Sequence, residues 1–295
     1  MGGCSWRGDG ARIAIVPEIT PALFRAGEGE QVVLLHGFSG TWRHWLPVLA
    51  ELTAHYEVIA PTAAGHFGGP PVPPDMDFTL EGAADQFEDH LDQLGVERAH
   101  FVGNSMGGGI SIELAKRGRA ISVVALAPAG GWDPAGKEAK RLNRFFNVQY
   151  KMAVAARPRM RRLLKSPGFR KQSMRAVMCH GDLVHPDEAL AMVDAMLACT
   201  VFDAAISNLK ANKAHLTNLD QVAAPVLLAW PEKDKVLPIS RYSQRFRNEI
   251  PGAEFKVLEG TGHVPMWDDP RTVIDTITGW VDRHSAARPV ASLSR

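Results

Sequence analysis

A serine in an unusual local setting is the first feature of the sequence that could do chemistry. Residues 103–107 read Gly-x-Ser-x-Gly, with Ser105 at the centre. An apolar run at 99–102, typical of a strand, precedes them, and a helical pattern at 106–118 follows. A serine on so sharp a strand-to-helix turn needs small neighbours, and the turn lifts its hydroxyl clear of the sheet at the positive end of the helix. Ser105 is therefore predicted to be a nucleophile.

A serine hydroxyl needs a base to react at neutral pH, and His263 is the best candidate among eleven histidines. It follows the last predicted strand, 253–258. Loops after the carboxyl ends of parallel strands meet at one edge of such a sheet, so His263 is expected near Ser105.

The base needs a carboxylate that fixes its tautomer, and Asp234 is the preferred candidate. Asp234 follows the predicted strand at 225–230. Glu232 and Asp133 remain alternatives. The chain order serine, acid, histidine is that of one known triad architecture.

Backbone N–H groups are expected to bind the negative charge that develops on a carbonyl oxygen. The segment His36-Gly37-Phe38-Ser39-Gly40 follows a predicted strand at 31–35. The expected donors are the N–H groups of Phe38 and Met106. His36 is interpreted as a structural residue beneath this loop.

Alternating strands and helices position these residues. The apolar runs predict strands that are buried on both faces, as in a parallel sheet. The predicted strands are 31–36, 57–60, 99–102, 121–126, 225–230 and 253–258, and the predicted helices are 42–54, 79–95, 106–118, 238–249 and 268–284. The pattern predicts an α/β fold with a doubly wound, mostly parallel sheet.

Residues 134–213, called the helical insert below, interrupt the alternation because they contain no convincing strand. They divide a predicted core into 1–133 and 214–284, and 285–295 are predicted to be a flexible tail. Residues 137–175 hold thirteen Lys and Arg against one acid, Glu138. A solvated helix face is the preferred interpretation of these cations, and an anionic ligand or membrane surface is the alternative.

The helical insert holds six of the ten methionines, and we expect it to cover an apolar pocket above Ser105. Ordinary helical core is the alternative. The expected lining residues are Phe145, Phe146, Met152, Met178, Met192, Val236 and Val264, with Met160, Met174 and Met196 as further candidates.

Composition excludes several classes of protein. The chain has 295 residues and a net charge of +1, which argues against a nucleic-acid binder. Three cysteines show neither a disulfide framework nor metal-ligand spacing, and no metal or organic cofactor is expected. No apolar run is long enough for a stable membrane anchor or a secretion signal, so a cytoplasmic protein is expected. A homodimer is left open.

Taken together, the motifs resemble the α/β-hydrolase fold family from about residue 12 to 284. The motifs are His36-Gly37, Gly65-His66, the turn at 103–108, and Gly262-His263 preceded by Asp234. The resemblance implies a cap formed by the helical insert. Because the nucleophile position is serine and not aspartate, the sequence does not resemble a haloalkane dehalogenase or an epoxide hydrolase.

The turn is also similar to that of hydrolases that cleave carbon–carbon bonds in ring-fission products. Those relatives usually carry tryptophan after the histidine, where this chain has Val264. The sequence therefore favours a serine hydrolase that cleaves the carboxylic ester of a small or medium apolar acid. The alternatives are a carbon–carbon hydrolase acting on a ketone, a cofactor-free perhydrolase, and a ligand-binding receptor on a hydrolase scaffold.

Overall fold

An eight-stranded β-sheet forms the centre of the structure, a computed structural model that describes residues 17–285. The strands are β1 (Glu18–Ile19), β2 (Leu23–Ala26), β3 (Gln31–Leu35), β4 (Glu57–Pro61), β5 (Ala99–Asn104), β6 (Ala120–Leu126), β7 (Val226–Pro231) and β8 (Glu254–Leu258). Their order is β1-β2-β4-β3-β5-β6-β7-β8. Strands β3 to β8 pair in parallel, while β2 pairs antiparallel with both of its neighbours, β1 and β4. The predicted α/β fold with a mostly parallel sheet is confirmed.

Helices connect these strands and cover the sheet. They are α1 (Leu46–Thr53), α2 (Leu80–Gln93), α3 (Met106–Lys116), α4 (Glu138–Leu163), α5 (Pro167–Met174), α6 (Pro186–Leu197), α7 (Phe202–Lys210), α8 (Ile239–Tyr242), α9 (Gln244–Glu249), α10 (Pro265–Asp268) and α11 (Pro270–His284). The helix predicted at 238–249 is in fact two shorter ones, α8 and α9, whereas the helix predicted at 268–284 is α11, preceded by the four-residue helix α10. Between α10 and α11, the backbone of Asp269 is not helical and its side chain accepts a hydrogen bond from the Thr272 N–H, so α11 begins at Pro270.

Strand β3 shows why the sheet is apolar on both sides. Val33 and Leu35 belong to one buried cluster, and Val32 and Leu34 belong to another. Successive side chains of a strand point to opposite faces, so both faces are packed against helices. The two short strands β1 and β2 were not predicted, because they are too short to show a periodic pattern.

The helical insert leaves the sheet after β6 and returns at β7, its immediate neighbour. Within it the structure shows α4 to α7 and no strand. Most of its cations are exposed, as predicted; Arg170 is the buried exception and donates to the carbonyls of Leu164, Lys165 and Asp182. The predicted tail lies outside the described residues, apart from Ser285.

No single helix within residues 17–285 is long and apolar enough to cross a membrane. The bent pair of α6 and α7, with an angle of 67° between them, passes the same test of length and composition.

Candidate active site

The turn between β5 and α3 holds Ser105 in a strained conformation. Its φ is +57° and its ψ is −114°, a region that non-glycine residues rarely adopt. The neighbouring glycines permit the close approach: a Cβ on Gly103 would lie 2.1 Å from the Gly107 carbonyl, and one on Gly107 would lie 2.1 Å from the Leu35 carbonyl. The turn thus presses the start of α3 against the end of β3, as the glycine spacing predicts.

Asp234 and His263 form a buried pair at the ends of β7 and β8. The Nδ1 of His263 lies 2.7 Å from Oδ2 of Asp234. The other carboxylate oxygen of Asp234 accepts hydrogen bonds of 2.8 Å from the N–H groups of Val236 and Leu237. With Nδ1 donating to the carboxylate, Nε2 of His263 is left with a lone pair that can accept a proton.

The two alternative acids lie elsewhere. Asp133 is exposed and accepts a hydrogen bond from the Ala135 N–H, two residues along the chain. Glu232 accepts from the Gly260 N–H. Neither carboxylate has a hydrogen bond to His263, so the structure places Asp234, and not its rivals, beside the imidazole.

The loop after β3 borders the serine turn. A Cβ on Gly37 would lie 3.4 Å from the Cβ of Ser105, which is ordinary van der Waals distance. Within residues 17–285 the backbone N–H groups of Phe38 and Met106 donate to no protein acceptor. Both are therefore free to donate to an oxygen atom bound at Ser105, as an oxyanion site requires.

Sequence reasoning missed the role of Asn104, which precedes the serine. Its buried side-chain amide donates to the carbonyl of His263 at 2.9 Å and to that of Leu126 at 3.3 Å. The first bond ties the serine turn to the histidine loop. No local pattern signals it, because the two residues are 159 positions apart.

Asp268 was also missed, and it joins the histidine loop to the helical insert. Its carboxylate accepts from the N–H groups of Cys179 at 2.9 Å, His180 at 2.7 Å and Gly262 at 2.7 Å. The Val264 N–H also donates to the Val177 carbonyl at 3.0 Å. The loop that carries His263 is thus fixed on both sides of the imidazole.

Three further histidines lie near the site: His36 and His66 are buried, and His44 is partly buried. His36 donates from Nδ1 to the Gly37 carbonyl at 2.8 Å and accepts at Nε2 from the Ala63 N–H at 2.9 Å, which fits the structural role predicted for it. Burial lowers its pKa well below the ordinary value. Burial also lowers the pKa of His44 and of His66 to about 4 in each case, and the nearby His263 contributes to the shift at His44. All three are neutral at pH 7.

A cavity of about 440 Å³ opens above the serine. Ser105, Phe38 and Met106 line it, whereas Asp234 and His263 do not. The segment 62–79, helix α2 and the helical insert supply most of the other walls, and most of the lining side chains are apolar. Such a cavity suits an apolar small molecule.

The lining differs from the one expected from the methionine pattern. Phe146 and Val236 line the cavity as predicted, and Phe145 packs on Phe146 with ring centroids 5.3 Å apart without lining it. The prediction that Met152 lines the cavity is wrong, because Met152 is 62% exposed and does not border the cavity. Met178 and Val264 are buried in the second cluster, and Met192 packs against that cluster. None of the three faces the cavity.

The remaining methionines of the helical insert, Met160, Met174 and Met196, do not line the cavity either. The insert contributes a different set: Leu142, Phe146, Val201, Ala205, Ile206 and Leu209. Met76 and three prolines of the 70–74 stretch, Pro70, Pro71 and Pro73, also line the cavity. The proline-rich stretch at 70–74 therefore has one side that faces the cavity.

Within the described part of the chain, no group of three or more His, Cys, Asp or Glu side chains is arranged to hold a metal ion.

Comparison with known proteins decides the family. Residues 32–276 match the model of the alpha/beta hydrolase family. The chain belongs to the alpha/beta hydrolase family. It is an enzyme of the hydrolase type, and its relatives act on small molecules.

Individual relatives of this alpha/beta hydrolase differ in activity. Epoxide hydrolase EphH of Mycobacterium tuberculosis is 32% identical over 200 residues, which cover 68% of this chain and 93% of the relative. Among solved structures, an esterase from Thermogutta terrifontis has a TM-score of 0.67 and 22% identity, covering 90% of this chain and 94% of that one. The meta-cleavage product hydrolase CumD of Pseudomonas fluorescens has a TM-score of 0.67 and 21% identity, covering 90% and 97%. These two structural likenesses show the fold.

Proposed function

We propose that this alpha/beta hydrolase is a serine hydrolase that cleaves the carboxylic ester of a small or medium apolar acid through an acyl-enzyme. The observation that carries the proposal is Ser105, held at φ +57° on the turn at the cavity wall. A hydroxyl in that position meets a bound carbonyl, and the strain is retained because the surrounding glycines and strands fix the turn.

The proposed reaction uses five groups. His263 takes the proton of Ser105 as the serine oxygen attacks the carbonyl carbon, and Asp234 stabilises the resulting imidazolium. The N–H groups of Phe38 and Met106 bind the oxyanion, and each donor of this kind contributes roughly 3–4 kcal/mol to the transition state. His263 then protonates the leaving alcohol oxygen. In the second half it removes a proton from water, which attacks the acyl-enzyme and releases the acid and Ser105.

Epoxide hydrolysis is the second candidate, because a relative with 32% identity is named an epoxide hydrolase. The residue types argue against it. Attack of a serine oxygen on an epoxide carbon would form an ether, and water does not hydrolyse an ether at neutral pH as it hydrolyses an ester. A covalent epoxide route needs a carboxylate nucleophile, and the nucleophile position holds Ser105.

The test combines covalent labelling with a substrate panel. The wild-type protein should react with a fluorophosphonate at Ser105, and should hydrolyse p-nitrophenyl esters faster than styrene oxide or a vinylogous diketone. Ser105→Ala should fold normally and lose both labelling and ester hydrolysis. Labelling of another serine would overturn the assignment of Ser105. Efficient opening of the epoxide that survives Ser105→Ala would instead favour a water-attack epoxide hydrolase.

A further inference from the structure

Helix α4 has two faces with opposite surroundings. Leu142 and Phe146 line the cavity, and Ala139, Ala153 and Met160 are buried. The other side of the helix faces solvent over its whole length of 26 residues, roughly 39 Å. The exposed side of α4, together with Lys165 just beyond it, is called the outer α4 face below.

The outer α4 face is strongly cationic. Eight exposed cations lie on it: Lys140, Arg141, Arg144, Lys151, Arg159, Arg161, Arg162 and Lys165. None of the eight forms an ion pair with an acid within residues 17–285, whereas Arg157 on the flank of the same helix pairs with Asp194. In a chain with a net charge of +1, this face is a local concentration of uncompensated charge.

Exposed apolar side chains lie about halfway along the same helix. Val148 is 47% exposed, Met152 is 62% exposed and Val154 is 51% exposed. They lie between the cations at 140–144 and those at 159–165. Exposed apolar side chains flanked by cations along one helix are typical of a helix that lies at a membrane interface.

We propose that the outer α4 face docks reversibly on an anionic lipid surface. Phosphate groups of the lipid would pair with the cations, and the apolar side chains would enter the boundary between headgroups and acyl chains. A nucleic acid would pair with the cations but would leave the apolar side chains in water. The combination of charge and exposed apolar area on one helix therefore selects a lipid surface over a polyanion.

The experiment measures co-sedimentation of the full chain with vesicles. Binding is expected to vesicles in which phosphatidylglycerol replaces part of the phosphatidylcholine, and not to phosphatidylcholine alone; added salt should weaken it. The cation variant combines Arg144→Gln, Lys151→Gln and Arg162→Gln, on one side of the helix. Each Lys or Arg near an anionic membrane contributes about a factor of five, so the variant should bind about a hundredfold more weakly.

A matched control removes the same charge elsewhere. It combines Lys210→Gln, Lys213→Gln and Arg241→Gln, all exposed and outside the outer α4 face. The control should bind as the wild type does. An apolar variant, Met152→Ser with Val154→Ser, should also lose binding although its charge is unchanged.

Hydrolysis of a short, freely dissolved ester should be the same in all these variants, which separates this proposal from that for Ser105. Absence of binding to the anionic vesicles would overturn the proposal. Equal loss in the control variant would show a general charge effect and would overturn it too. Binding to heparin with full retention by the apolar variant would identify a polyanion site in place of a lipid surface.

Discussion

The side-chain amide of Asn104 donates a 2.9 Å hydrogen bond to the backbone carbonyl of His263. The residue beside the proposed nucleophile therefore holds the loop of the proposed base. This bond sets the relative position of two loops that come from different strands, β5 and β8, which are not neighbours in the sheet.

Removing that amide should damage turnover more than binding. Asn104→Ala leaves the His263 carbonyl without its donor and lets the histidine loop move. We expect kcat for a p-nitrophenyl ester to fall at least tenfold with little change in KM, since a small misplacement of a catalytic group is costly. The control is Asn143→Ala, which removes a similar amide bond of 3.1 Å to the Ile206 carbonyl inside the helical insert. A fall in kcat of the same size in both variants would contradict the positioning role.

Replacing the proposed acid should abolish most activity and leave the fold intact. Asp234→Asn keeps an oxygen for the N–H groups of Val236 and Leu237 but presents an amide to His263, which favours the wrong tautomer. We expect kcat to fall by about 10⁴ with a similar melting temperature. Asp133→Asn is the control and should be nearly silent; the reverse ranking would move the acid to the loop after β6.

The hydrogen bonds that Asp268 accepts should support both stability and activity. The neighbouring Asp269 provides the comparison. Asp268→Asn halves the number of acceptor oxygens available to three N–H groups, so both melting temperature and kcat should fall. Asp269→Asn weakens only the cap at the start of α11, which accepts from Thr272 at 3.0 Å. Because asparagine caps a helix about as well as aspartate, that change should cost well under ~1 kcal/mol of stability and leave kcat normal. If the two variants lose stability equally and neither loses kcat, Asp268 has no influence on the site.

Chain-length preference should depend on Phe146 and not on Met152. A series of p-nitrophenyl esters should show kcat/KM rising by about fourfold per methylene while the cavity fills, because each buried methylene contributes about 0.8 kcal/mol. Phe146→Ala should shift the optimum to longer acyl groups. Met152→Ala changes an exposed side chain and should leave the profile as it is. An unchanged profile for Phe146→Ala would show that the acyl group lies elsewhere.

The buried histidines should make the protein sensitive to acid. His44 and His66 titrate at about 4 in the folded state and near 6.5 when unfolded, so the unfolded chain binds more protons between these values. The free energy of unfolding should therefore fall as pH drops from 6.5 toward 4, by up to about 1.4 kcal/mol per pH unit for each of them. His44→Gln should reduce the slope measured by denaturant unfolding. His180→Gln, which removes an exposed histidine, is the control, and an equal reduction there would contradict the explanation.

The sequence could predict the sheet because strands buried on both faces appear as continuous apolar runs. The sequence could also predict that Ser105, Asp234 and His263 lie at one edge of the sheet, because each follows the carboxyl end of such a run. It could not predict the bonds of Asn104 and Asp268, which depend on how distant loops approach one another. The prediction that the methionines of the helical insert line the cavity is wrong for a similar reason. Composition does not show which side of a helix faces a cavity and which packs on another helix.

The place where the helical insert joins the sheet has an evolutionary consequence. It leaves after β6 and returns at the adjacent β7, so its sequence can diverge or be exchanged without rearranging any strand. One condition limits that freedom. Any replacement must still offer backbone N–H groups where Cys179 and His180 meet Asp268, and a carbonyl where Val177 meets Val264. A grafted insert that kept this short stretch of backbone would bring a new specificity to an unaltered serine site.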